Sequence, residues 1–188
     1  SASLADIMGL PLSKTTLFTE DQIRRRVSEL ARDIDADHRI DEPLHVVVAL
    51  KGSFVFAADL IRAMRTPLTL DFIAIGSYAD GTTAGEIQLQ KDLDSSIEGR
   101  PVLIVEDIVD TGRTLRYLQD LLRARSPKSL RTVCLTTKPS RRAVEVTVEY
   151  VGFEVGDHFI VGYGLDHGER YRHLAHITTI EETREPHR

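Results

Sequence analysis

Residues 101–114 read PVLIVEDIVDTGRT, and the fold turns on how this stretch changes character halfway along. Pro101 to Val105 form a continuous apolar run without polar alternation, the composition of a strand buried on both faces. After the polar EDIVDTGRT, the residues Leu115, Leu118, Leu121 and Leu122 recur at helical spacing. A strand, a glycine-bearing turn and a helix in succession open a βαβ unit. The same order occurs earlier: LHVVVAL (Leu44 to Leu50) is a doubly buried strand, Lys51-Gly52-Ser53 a turn, and Ala57, Leu60, Ile61 and Met64 the inner face of a helix. Leu70 to Ile75 (LDFIAI) and Leu130 to Thr136 (LRTVCLT) add two strands. Near the beginning, Thr19 and Gln22 make a capping box, and Ile23, Val27, Leu30, Ala31 and Ile34 continue it as a helix near 19–36. Continuous apolar strands interleaved with helices predict an α/β fold whose parallel sheet is covered on both faces. Gly76 to Asp94 is read as a long polar loop, of the kind that is functional or mobile. From Val146 onward, short runs at Val151-Gly152-Phe153 and Phe159-Ile160-Val161 predict a small β-rich appendage.

At 188 residues, without internal repeats or a Pro-, Gly- or Ser-rich linker, the chain reads as one domain. With 41% hydrophobic and 28% charged residues it is neither collagen-like, low-complexity nor largely disordered. Its apolar runs fall far short of the roughly 20 residues a membrane helix needs. Lys plus Arg number 24 against 29 Asp plus Glu, so the net charge is 24 − 29 = −5, which argues against a nucleic-acid partner. The lone Cys134, between Val133 and Leu135, is placed as a buried small hydrophobe. No cationic stretch followed by an apolar segment opens the chain, so a cytoplasmic location is expected. Ser1 stands where a start Met is expected, which suggests a processed end or a cloning remnant.

In parallel sheets, ligands sit beyond the carboxyl ends of the strands. The turn from Glu106 to Thr114 is there and is chemically loaded. Gly112 permits close backbone approach, Thr111 and Thr114 supply hydroxyls, Arg113 supplies charge, and the amides opening the next helix favour an anion such as a phosphate. Glu106, Asp107 and Asp110 repel one another unless a cation or sugar hydroxyls satisfy them, and Mg²⁺ with a ribose would do so. The plainer reading is a solvated acidic loop and a helix cap, against which the buried strand argues. No Gly-x₄-Gly-Lys-Ser/Thr loop is present, which excludes a Walker ATPase. A phosphoacceptor receiver domain would need a lysine after its acceptor aspartate; Asp157 is available, but the last lysine is Lys138. His167, His173 and His176 lack cysteine partners and a ligand spacing, so they read as surface histidines rather than zinc ligands.

VEDIVDTGRT resembles the phosphoribosyl diphosphate signature of the type I phosphoribosyltransferases. Leu50-Lys51-Gly52-Ser53, Ser77-Tyr78, Lys138-Pro139 with Arg142, VGFEV, Phe159-Ile160-Val161-Gly162-Tyr163, and Leu165-Asp166 with Arg172 narrow the likeness. Together, from about residue 15 to 180, they resemble the hypoxanthine-guanine phosphoribosyltransferases, of bacterial type. The resemblance implies a parallel-sheet core flanked by helices (roughly 38–165), with a hood from about 1–18 and 150–188. It implies transfer of the phosphoribosyl group of phosphoribosyl diphosphate to N9 of a 6-oxopurine, with Mg²⁺ and release of pyrophosphate.

On this resemblance Asp110 would be the general base or acid at purine N7, and Asp110, Thr111, Gly112, Arg113 and Thr114 would hold the 5′-phosphate. Glu106 and Asp107 would hold the ribose hydroxyls, directly and through metal-bound water. Lys51, Gly52 and Arg172 would bind pyrophosphate, the Leu50-Lys51 peptide being cis. Lys138 would donate to purine O6, Phe159 would stack on the base, Ile160 would offer its backbone to the purine edge, and Leu165 and Asp166 would complete the purine site. Asp166 would also coordinate Mg²⁺, and Ser77 and Tyr78 would belong to a mobile lid. A homodimer or homotetramer is implied.

The competing class is a regulator using this fold to sense phosphoribosyl diphosphate. About 43 residues before the first strand are few for a DNA-binding domain, and the acidic charge and purine-site blocks weigh against an RNA-binding attenuator. Among enzymes the alternative is an adenine or orotate phosphoribosyltransferase, which lacks the Lys138 and Phe159 blocks in this arrangement.

Overall fold

A computed structural model describes residues 12–77 and 86–182. Strand β1 (Leu12–Phe18) leads into helix α1 (Glu20–Asp37), whose start carries the expected capping box: the Thr19 hydroxyl accepts from the Gln22 amide and the Gln22 side chain accepts from the Thr19 amide. Then follow β2 (Leu44–Leu50), α2 (Phe54–Ala63), β3 (Leu68–Ser77), β4 (Ile87–Lys91), β5 (Pro101–Val109), α3 (Arg113–Arg123) and β6 (Ser129–Thr137). A 3-10 turn at Pro139–Arg141 precedes β7 (Tyr150–Glu154), β8 (Ile160–Val161) and β9 (Ile177–Glu182).

Six strands form one sheet in the order β4-β3-β2-β5-β6-β7, parallel except for the edge strand β4. The pleat sends alternate residues to opposite faces. Val46, Val48, Leu103 and Val105 pack with α1 and α2, while Val47, Val102 and Ile104 pack with α3. That is why these strands are apolar throughout: each has no solvent face. Cys134 lies in the second layer, and burial pushes its thiol up to about 12, so it is an unreactive core group.

Two expectations are corrected. Residues 76–94 are not one loop: β3 continues to Ser77, and Ile87–Lys91 returns antiparallel along it, its alternating Ile-Gln-Leu-Gln suited to an edge strand with one wet face. The reading of 150 as the start of the hood also fails. Strand β7 pairs with β6 in the main sheet, where Gly152 runs so close that a Cβ there would lie 2.3 Å from the Leu135 carbonyl oxygen. The hood is an antiparallel sheet of order β1-β9-β8. No helix among the described residues is long and apolar enough to cross a membrane.

Candidate active site

The carboxyl ends of β2, β5 and β6 lie side by side, and a cavity of about 260 Å³ there is lined by Leu50, Glu106, Asp107, Asp110, Thr111 and Gly112, among others. Glu106 is 7% exposed. Burial, reinforced by the neighbouring Asp107 charge, holds its carboxyl well above the ordinary range, and burial raises Asp107 as well. The Asp107 carboxylate accepts the Ile108 amide at 2.7 Å and feels Arg172.

This pair makes stability depend on pH. The unfolded chain releases the Glu106 proton near its ordinary value of 4.5, whereas the folded chain keeps it to higher pH. The pair's contribution to stability is therefore complete below that value and falls as pH rises. In the ligand-free chain with a chelator, Glu106→Gln is expected to raise Tm at pH 7 by about 3 °C or more, with the gain vanishing below about pH 4. Thermal unfolding across that pH range checks this, and a pH-independent shift would refute it.

Beside the pair, the Lys51–Ser53 turn crosses at contact distance. The Leu50-Lys51 peptide is cis, and a Cβ on Gly52 would lie 1.9 Å from Asp107 Oδ2, so only glycine leaves that carboxylate in place. Ser53 is fully buried, and its hydroxyl has no hydrogen-bond partner among the described residues. Gly164, at φ 97, brings the hood onto this turn; a Cβ there would lie 2.5 Å from the Gly52 carbonyl oxygen.

The loop after β5 is fixed from behind. Arg142 donates to the Asp110 carbonyl at 2.7 Å and to the Thr137 hydroxyl at 2.6 Å, and the Ala143 and Val144 amides bond the Thr111 carbonyl. Gly112, at φ 87, caps α3, aligning the first-turn amides behind the exposed Arg113 and Thr114. Asp110 Oδ1 accepts Arg141 Nε at 3.0 Å, and Arg141 also lies 3.8 Å from Asp157. Adjacent to Asp110, the Lys138 amide donates to the Val109 carbonyl at 2.9 Å. Lys138 is 7% exposed, and no side chain among the described residues hydrogen-bonds its ammonium.

The hood supplies the other wall. Phe159 is 51% exposed and meets His167 edge to face at 5.1 Å, whereas Ile160 and Leu165 are buried. Among the three histidines read as surface groups, His173 is exposed but His167 and His176 are half-buried. Asp166 Oδ2 accepts the Glu169 amide at 2.9 Å and lies 3.4 Å from Arg172. Ser77 ends β3 exposed, and Tyr78 lies outside the described residues.

Glu106, Asp107 and Asp166 do not form one three-ligand cage; no group of three or more His, Cys, Asp or Glu among the described residues is arranged to hold a metal. Buried Glu106 and half-buried Asp107, to which no Lys or Arg side chain of the described residues hydrogen-bonds, nevertheless suit Mg²⁺. That ion favours one or two carboxylates with water and substrate oxygens. Two groups at the site went unread in the sequence. Arg141 reaches Asp110 from 31 positions away and Glu169 reaches Lys51 from 118, and nothing local marks either.

Comparison with known proteins places this geometry. Residues 13–167 match the phosphoribosyl transferase domain model. The chain is 46% identical over 166 residues to a bifunctional TilS/HprT protein of Listeria monocytogenes, covering 88% of this chain but only about a quarter (26%) of that protein's length. It is 45% identical to the hypoxanthine-guanine phosphoribosyltransferase of Bacillus subtilis, covering 88% of this chain and 92% of that one. A crystal structure of a hypoxanthine-guanine phosphoribosyltransferase from Bacillus anthracis superposes with a TM-score of 0.84 at 44% identity, over 90% of this chain and 99% of the other. Sequence, strand-end geometry and superposition agree, and the chain belongs to the phosphoribosyltransferase family, alongside the hypoxanthine-guanine phosphoribosyltransferases.

Proposed function

We propose that this protein transfers the 5-phosphoribosyl group of phosphoribosyl diphosphate to N9 of hypoxanthine or guanine, forming the nucleotide and pyrophosphate. The observation that carries this reading is Lys138, a side chain only 7% exposed beside the phosphate loop, whose ammonium no described side chain hydrogen-bonds. A purine carbonyl at position 6 supplies the acceptor it lacks.

The 5′-phosphate sits on the amides from Thr111 to Thr114 at the start of α3, with the Thr111 and Thr114 hydroxyls and Arg113 around it. Glu106 and Asp107 bind the ribose hydroxyls. Lys51, the Gly52 amide and Arg172 hold the diphosphate, whose negative charge grows as it leaves, so their attraction is stronger in the transition state than in the ground state. Asp110 accepts the proton that the purine sheds at N7 as N9 bonds to C1′. Phe159 stacks on the base, while Ile160 and Leu165 fix its edge. Glu106 with Asp107, and separately Asp166, would hold Mg²⁺ together with substrate oxygens and water, and the ion would supply charge neutralisation on the diphosphate. Reaction in the cytoplasm and assembly as a homodimer or homotetramer belong to the same reading, supported by family membership.

A spectrophotometric assay with phosphoribosyl diphosphate, offering hypoxanthine, guanine, xanthine and adenine with and without Mg²⁺, tests the proposal. Metal-dependent nucleotide formation from hypoxanthine or guanine is expected. Binding of phosphoribosyl diphosphate without turnover of any base would favour a regulatory role instead. In the same assay, Gly52→Ala is expected to lower kcat/KM for phosphoribosyl diphosphate about 10²-fold, because the added methyl displaces Asp107. An unchanged value would separate Asp107 placement from substrate binding.

A further inference from the structure

The two side-chain cations assigned to pyrophosphate already share an anion. Lys51 Nζ lies 3.2 Å from Glu169 Oε2, and Arg172 Nη2 lies 3.3 and 3.2 Å from Oε1 and Oε2. Lys51 comes from the turn after β2 and Arg172 from the hood, so one carboxylate bridges both walls of the site. It presents two oxygens to a lysine and an arginine, as a phosphate would.

Glu169 is poorly suited to be a structural anchor. Its side chain is 65% exposed, and exposed ion pairs contribute little to stability. By contrast, Arg172 is held independently, its Nη1 donating to the Gly164 carbonyl at 2.8 Å. Hydrogen bonds from Lys51 and Arg172 hold the Glu169 carboxyl below its ordinary range, so it is an anion at neutral pH.

We propose that Glu169 is a displaceable internal counter-anion of the pyrophosphate site, neutralising Lys51 and Arg172 when no diphosphate is bound and competing with pyrophosphate for them. The inference rests on the assignment of Lys51 and Arg172 to pyrophosphate made above. Its consequence is weaker pyrophosphate binding and easier release: as the product leaves, the carboxylate takes its place and the cations are never left bare.

The test is calorimetric titration of the full chain with inorganic pyrophosphate in Mg²⁺, comparing wild type with Glu169→Gln. Glutamine is isosteric and meets the same backbone requirement at φ 66, so the turn is not further strained. Removal of a competitor should tighten Kd about fivefold, the scale of two partly exposed ion pairs. If Glu169 instead orients the two cations, the substitution weakens binding; a weaker or unchanged Kd overturns the inference. Lys51→Ala, which should weaken pyrophosphate binding about tenfold, separates the two readings. If it does so while Glu169→Gln fails to tighten binding, the counter-anion role alone is wrong. If Lys51→Ala has no effect, the pyrophosphate assignment falls and the inference with it.

Discussion

Asp110→Asn is expected to lower kcat about 10²- to 10⁴-fold, the usual worth of a placed general base, while phosphoribosyl diphosphate binds nearly as it does to wild type. The split follows from how the loop is built. Its shape depends on Arg142 bonding the Asp110 main-chain carbonyl and the Thr137 hydroxyl, on the Ala143 and Val144 amides, and on Gly112. None of these uses the Asp110 carboxylate, so the phosphate cradle survives its loss. Arg141 occupies Oδ1 at 3.0 Å, which leaves Oδ2 for the purine. Asparagine can keep an oxygen toward Arg141, but then turns an amide nitrogen to the base, and that group cannot accept the N7 proton. Titration with phosphoribosyl diphosphate and single-turnover kinetics measure the two quantities separately. Undiminished turnover would remove Asp110 from the proton transfer, and equal losses in binding and rate would make it a structural part of the loop.

What the sequence disclosed, and what it concealed, follows from the range of the forces involved. Strands β2, β5 and β6 were legible because both faces are buried, which leaves continuous apolar runs, and α1 was legible because Thr19 and Gln22 cap it locally. Strand β4 was hidden: its five residues alternate as an edge strand should, but they follow a polar stretch that reads as loop. Strands β1 and β9 are rich in threonine and charge, and they pair with each other across 159 to 170 positions, so neither carries a strong local pattern. The site divides in the same way. Glu106, Asp107 and Asp110 sit in one contiguous motif, whereas Arg141 and Glu169 gain meaning only when the sheet and hood bring them to Asp110 and Lys51.

Lys138→Ala is expected to lower kcat/KM for hypoxanthine about 10²-fold and to erode the discrimination against adenine, which in the wild type should reach about 10⁴. Lys138 follows directly on the fully buried end of β6, and its amide is tied to Val109, so its main chain has little freedom. Lys138 as a whole is only 7% exposed, and no described side chain accepts the three donors of its ammonium. A 6-oxopurine supplies an acceptor there. A 6-aminopurine presents donors to a donor and, by covering the ammonium, leaves its charge unsatisfied, which costs more than the loss of an ordinary hydrogen bond. Truncation removes both the attraction and the penalty, so hypoxanthine should lose much more than adenine. Measuring kcat/KM for both bases in wild type and variant gives the ratio directly. If the variant lost activity on hypoxanthine yet kept the full preference over adenine, selection at position 6 would have to come from backbone groups at the purine edge, and Lys138 would serve binding alone.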